Sequence, residues 1–157
     1  LYAFEFKGRL SYVLDGDFEV RRYQPLGGAF TLALAGRGVR AIPLRQGRPL
    51  PQVYWKVFGG DSSVRGVERN SITDIGGGRT GLNFRSELRY AAGKFGLALF
   101  WDTAGVWRRL KEVKTADMRD GYGLGLRYTI GLPFRLDAGF GRGLSEKRLY
   151  LSIGQAF

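Results

Sequence analysis

Along most of the chain apolar residues recur at every second position. From Gly121 the odd positions are Gly121, Gly123, Gly125, Arg127, Thr129 and Gly131, and the even ones are Tyr122, Leu124, Leu126, Tyr128 and Ile130. Successive side chains of a β-strand point to opposite faces, so one face here is wholly apolar or aromatic and the other small or charged. The same alternation sets Leu132, Phe134, Leu136, Ala138 and Phe140 against Arg135, Asp137, Gly139 and Gly141, and Leu149, Leu151 and Ile153 against Tyr150, Ser152 and Gly154. It sets Phe95, Leu97, Leu99 and Trp101 against Gly96, Ala98, Phe100 and Asp102, and Leu82, Phe84, Leu88 and Tyr90 against Asn83, Arg85, Glu87 and Arg89. Weaker versions cover the first 40 residues. The pattern predicts an all-β protein of about eight strands, near residues 2–14, 17–25, 28–40, 80–92, 94–106, 121–131, 132–143 and 147–157. Turn residues separate them: Asp15-Gly16, Gly27-Gly28, Ala92-Gly93, Gly131-Leu132-Pro133 and Gly143-Leu144-Ser145. Such short joins pair sequential strands antiparallel.

Two connections are long, about 41–79 and about 107–120. Short turns on one side and long loops on the other are the asymmetry of outer-membrane barrels. A soluble β-sandwich also has one apolar and one polar face. Three features favour the barrel. The polar faces are rich in Gly and Arg; aromatics gather near strand ends (Tyr2, Tyr12, Tyr90, Trp101, Trp107, Tyr122, Tyr128, Tyr150), as an interfacial girdle requires; and the last residue is Phe157. No apolar run approaches the roughly 18 residues of a membrane-spanning helix.

Composition sharpens this. The 157 residues include 25 Gly, 8 Tyr, 11 Phe and 3 Trp, no Cys and no His, with a net charge of +11. Disulfides, thiolate metal sites, Cys nucleophiles, Ser-His-Asp triads and His-ligated zinc are excluded. The expectation is therefore a non-enzyme with no catalytic residue, no metal and no cofactor. The charge and interleaved aromatics also suit a soluble basic RNA-binding β-protein. An RNA platform, however, needs both residue types on one face, and here Arg alternates away from the aromatics. Ser62 and Ser63 lack the His and the strand-turn-helix setting of a hydrolase. Gly76-Gly77-Gly78-Arg79 lacks the Lys-Ser/Thr of a phosphate loop and reads as a flexible turn. Arg108, Arg109, Lys111 and Lys114 read as a solvated loop, with contact to lipopolysaccharide or lipid phosphate as the alternative. Glu112, Asp117 and Asp120 are dispersed among bases and suggest no metal site.

The connection of about 39 residues is too long to be idle in a compact domain. At its centre stands Phe58-Gly59-Gly60-Asp61-Ser62-Ser63-Val64-Arg65-Gly66. This segment resembles the VRG loop of BamA/TamA-like outer-membrane assembly and translocation barrels, with Val67 where those proteins carry Phe or Tyr. Phe100-Trp101-Asp102-Thr103-Ala104-Gly105 is similar to the family's F-x-D-x-G strand. Gly121-Tyr122-Gly123-Leu124-Gly125-Leu126-Arg127 is similar to its G-x-G-x-R strand, and Gly154-Gln155-Ala156-Phe157 to its C-terminal signal. The resemblance covers about residues 17–157.

The resemblance implies a large extracellular loop folded back into the barrel lumen, carried on the motif residues Gly59, Gly60, Val64 and Gly66. Arg65 would be locked there by Glu87 and Asp102. Alternation by itself puts both acids on the polar side of adjacent strands, and a guanidinium has five donors with which to bond two carboxylates. The resemblance further implies an insertase or translocase of the bacterial outer membrane that works through a lateral seam. The terminal strand, with Gly154 and Phe157, would form one side of that seam. A two-partner secretion transporter or a patatin-fused barrel of the same superfamily shares these marks. Implied partners are outer-membrane lipid and lipopolysaccharide, nascent outer-membrane or secreted proteins, and periplasmic assembly factors.

Barrels of this family have sixteen strands, and five strands follow the VRG loop here while three precede it. An eight-stranded barrel is filled by its own side chains and could not admit such a loop. The expectation is therefore that residues 1–157 are one barrel domain, the C-terminal half of a sixteen-stranded barrel. The remaining strands and periplasmic domains would belong to the same chain or, less simply, the strands to a second copy. Leu1 begins in mid-pattern, which favours the former.

Overall fold

A computed structural model describes residues 2–6, 9–44, 50–75, 78–141 and 146–154, with side chains from Tyr12 onward. Eight strands lie in one antiparallel sheet in sequence order: β1 (Tyr2–Phe6), β2 (Arg9–Gly27), β3 (Phe30–Pro43), β4 (Thr80–Ala92), β5 (Phe95–Trp107), β6 (Arg119–Ile130), β7 (Leu132–Gly141) and β8 (Glu146–Ile153). β1 and β8 are its edges, and the sheet is not closed on itself. Along one rim the joins are tight. Gly28 follows β2, Gly93 follows β4 and Gly131 follows β6, each at positive φ, where a side chain would be strained. The opposite rim carries the long connections, residues 44–79 and 108–118.

The two faces invert the arrangement of a water-soluble protein. Leu97, Leu124, Leu149 and Leu151 are exposed on one face, Leu151 by 78%, whereas Glu87, Asp102 and Asp137 are 0% exposed on the other. In water this arrangement would leave apolar surface wet and carboxylates dry. In a bilayer the apolar band meets lipid and the polar side chains satisfy one another. The aromatics follow the same logic. Near the short-turn rim Phe30 lies 5.0 Å from Tyr90 and Phe95 lies 4.7 Å from Tyr128, ring centre to ring centre. Toward the other rim, Trp101 and Tyr122 face outward as register partners.

Several sequence expectations need correction. The first two strands divide at residues 7–8, which lie outside the described residues, and not at Asp15-Gly16. The Asp-Gly pair sits within β2, opposite Ala41 and Arg40. Because β3 continues to Pro43, the backbone of this stretch finds ladder partners, and the pairing overrides its turn propensity. For the same reason the long connection begins at 44 rather than 41. Trp107 is no girdle residue: it is buried, with its ring over Gly105 beside Met118. Tyr150 belongs to the inner face. Gly78 and Arg79 are not a loose turn, since Lys56 N–H donates to the Gly78 carbonyl (2.9 Å) and Arg79 N–H to that of Trp107 (2.9 Å). Gly76 and Gly77 lie outside the described residues.

Candidate functional site

The connection between β3 and β4 folds onto the inner face. Phe58 and Ile72 exchange backbone hydrogen bonds of 2.9 and 3.0 Å, which closes the loop into a narrow finger. Its apolar side chains Phe58, Val64, Val67 and Ile72 pack with Val39, Ala104 and Val106 of β3 and β5. The loop thus supplies its own small core where the lumen face turns apolar near the rim. Val67 is fully buried in this cluster. At the tip Gly59, Gly60 and Gly66 all have positive φ. Gly60 N–H reaches the carbonyls of Val64 (3.2 Å) and Val67 (3.1 Å), and Ser63 Oγ accepts from Gly59 N–H at 2.7 Å. These bonds make a tight turn that presents Val64-Arg65-Gly66 to the sheet.

The receiving surface is bare backbone. A Cβ on Gly121 would stand 1.9 Å from the Arg65 carbonyl oxygen, and one on Gly139 would stand 2.5 Å from Gly66 N. A Cβ on Gly66 would stand 2.5–2.7 Å from the main chain of Phe140. The inward glycines of β6 and β7 therefore let main chain meet main chain, an approach that only glycine permits. Asn83 on β4 completes the seat by donating to the carbonyls of Ser63 (3.1 Å) and Thr103 (3.0 Å).

Arg65 is 1% exposed. Its Nε and Nη2 donate to the two oxygens of Asp102 at 2.7 and 2.9 Å, and its own backbone N–H adds a third bond at 3.1 Å. Such a fork of parallel bonds fixes direction as well as distance. Nη1 donates to Asp137 at 3.1 Å. The guanidinium lies 3.6 Å above the centre of the Phe100 ring, whose π face attracts a cation. Glu87 comes only within 3.9 Å of Nη1, an ion pair without a hydrogen bond. Its oxygens are taken by Arg127 and by Arg89 (3.0 Å). Arg127 also bonds Asp137, and Arg135 Nε lies 3.3 Å from it. Burial disfavours the Arg65 cation, but the Asp102 hydrogen bonds and the charges of Asp102, Glu87 and Asp137 outweigh it and raise its pKa above the ordinary value. Arg65 is therefore a permanent cation.

Of the residues singled out in sequence, Arg65, Asp102, Gly59, Gly60, Val64 and Gly66 come together, with Glu87 at the margin. Gly154 lies just beyond β8 with φ 110°, its N–H bonded to the Pro133 carbonyl at 2.8 Å. Phe157 lies outside the described residues. Sequence reasoning missed Asp137, Phe100 and Tyr150 as members of the site. All three sit on the inward parity of their strands, which was the available signal. Among the described strands most arginines face inward and most aromatics outward; Phe100, stacked under Arg65, is buried in the seat of the loop.

A sequence profile described as the Omp85 superfamily domain matches residues 4–157. Among solved structures the chain is similar to the crystal structure of BamA from Haemophilus ducreyi lacking POTRA domains 1–3. The TM-score is 0.68 and the identity 17%, over 92% of this chain and 35% of that one. The chain thus spans about a third of the length of that crystallised chain. No curated protein sequence matches it.

Proposed function

The chain belongs to the Omp85 superfamily of bacterial outer-membrane β-barrel proteins, and from that premise we propose that it is the seam-forming, loop-bearing part of an outer-membrane insertase or translocase. One observation carries the reading: the finger between β3 and β4 is seated on the inner face, with its tip hydrogen-bonded to β8; on this reading β8 borders an opening in the complete barrel. A strand edge in hydrocarbon leaves N–H and C=O groups unpaired, each at a cost of several kcal/mol. Such an edge has a strong drive to pair with whatever strand is offered. An incoming unfolded strand that adds to β8 satisfies both partners at once, which is β-augmentation within a membrane. No bond is made or broken, so no catalytic group, metal or cofactor is called for.

The loop complements this role. Docked, it occupies the lumen at the long-loop rim and keeps polar groups of the inner face paired. Nascent outer-membrane proteins are the proposed clients, delivered by periplasmic assembly factors, with outer-membrane lipid and lipopolysaccharide around the apolar face. The test uses the full-length protein in lipid vesicles with an unfolded client barrel. A photo-crosslinking residue at Ser152 should capture the client, and client folding, read as heat-modifiable gel mobility, should accelerate over empty vesicles. Client folding at the rate of empty vesicles refutes the insertase reading. Passage of a soluble client across the vesicle, without insertion, would instead identify a secretion transporter.

A further inference from the structure

We infer that the Tyr150 hydroxyl is a positioning group that couples β8 to the docked loop, so that displacement of β8 removes one bond from the seat of the loop and loosens it. The inference rests on the reading that β8 borders the opening. Tyr150 is on the inner face of β8, opposite Asp137 of β7. Its hydroxyl accepts a hydrogen bond from Gly66 N–H at 3.2 Å and points its own proton at the Val67 carbonyl, 3.5 Å away. Gly66 immediately follows Arg65, and its Cα rests on the Phe140 main chain, where not even a methyl group fits. The tip therefore has no freedom to follow a moving β8, and Tyr150 lets go when β8 moves.

The geometry is specific to this side chain. The other strand contacts of the tip described above come from β3 to β7, among them Val39, Asn83, Asp102, Gly121, Asp137 and Gly139. Those strands are paired on both sides. On the reading that β8 borders the opening, Tyr150 is the one of these contacts that stands on a strand free to move. A neighbouring ion pair, Arg148 with Glu68 at 3.9 Å, is exposed and long, and it carries little energy. The hydroxyl is thus the element through which the position of the edge strand enters the stability of the loop. The coupling is reciprocal: whatever loosens the loop also loosens β8.

The experiment is amide hydrogen exchange by mass spectrometry on the full-length protein in lipid, following the segment 58–67. Four proteins are compared: the parent, Tyr150→Phe, and each of these with β8 pinned to β7 by a disulfide between Ala138→Cys and Leu149→Cys, which are register partners on the outer face. Residues 1–157 contain no cysteine, and any cysteine elsewhere in the full-length protein is replaced by serine in all four. Tyr150→Phe should speed exchange of the segment about fivefold, the size expected for one neutral hydrogen bond. Pinning should slow exchange in the parent and leave Tyr150→Phe unchanged. Equal slowing in both backgrounds would show a merely structural tyrosine and overturn the coupling, as would unaltered exchange in Tyr150→Phe. No client protein takes part, so failure here is distinct from failure of the insertase reading.

Discussion

Replacing Arg65 by alanine isolates what the guanidinium does. The substitution removes two of the three bonds that Asp102 receives from this residue, the bond to Asp137 and the stacking on Phe100, and it leaves the backbone N–H in place. Truncating one partner of a buried ion pair costs about 3–5 kcal/mol, most of it from the stranded charge. The lower end applies here. Arg85 is the register partner of Asp102, and Arg127 and Arg135 already neighbour Asp137, so neither acid is left without a cation. A loss of about 3 kcal/mol lowers the docking equilibrium by about two orders of magnitude. The β-sheet itself is untouched, because none of the broken bonds belongs to a strand ladder. Hydrogen exchange and limited proteolysis across residues 58–67 should therefore rise, while heat-modifiable mobility reports an intact barrel. Arg65→Lys should fall between the two, since a single ammonium cannot fork onto Asp102 and still reach Asp137. Loop protection equal to that of the parent in Arg65→Ala refutes the lock. Parent-like protection in Arg65→Lys refutes the argument from fork geometry and leaves charge alone.

Three further outcomes follow from the same contacts. Gly121→Ala puts a methyl group within 1.9 Å of the Arg65 carbonyl and should expel the tip, with exchange at 58–67 rising as in Arg65→Ala; Gly16→Ala, whose nearest neighbour stands at 3.9 Å, is the silent control. Leu124→Arg, at the middle of β6 on the lipid side, should lower the stability of the barrel in vesicles by about 2–4 kcal/mol, measured by urea titration; a change within error would contradict the assignment of that face to lipid. Phe100→Leu keeps an apolar floor but loses the π face, and should weaken loop docking by about 0.5–2 kcal/mol without altering strand pairing, read by the same exchange measurement.

Much of this architecture was legible in the sequence because period two is a local property. It assigned faces correctly along β4 to β8, and with them the inward Glu87, Asp102 and Asp137. It failed at the first hairpin. Tyr2, Phe4 and Phe6 continue in phase to Leu10 and Tyr12 across Lys7-Gly8, so the period carries no mark of the reversal, while Asp15-Gly16 advertises a turn that pairing with Ala41 and Arg40 suppresses. The site was only half legible for a related reason. Parity says which side of the sheet a residue is on, but not how far along the barrel it stands. That depends on register summed over several strands. Asp137 was thus seen as inward without being seen as level with Arg65, and Glu87, three strands away on β4, was named instead. Phe100 was the clearest signal passed over, an aromatic on the face otherwise reserved for small and charged residues. Nothing local links Gly66 to Tyr150.

That last separation bears on the order in which the molecule assembles. The bonds of the tip join residues 37 apart at Asp102, 72 apart at Asp137 and 84 apart at Tyr150. Contacts of such long range form late, because closing each intervening segment carries an entropic cost that only the finished ladder offsets. Until β7 and β8 have zipped into place, the finger has only part of its seat and the glycine floor is incomplete. Seating of the loop is therefore expected to follow the pairing of β6, β7 and β8, and a seated loop reports that β8 has arrived in register.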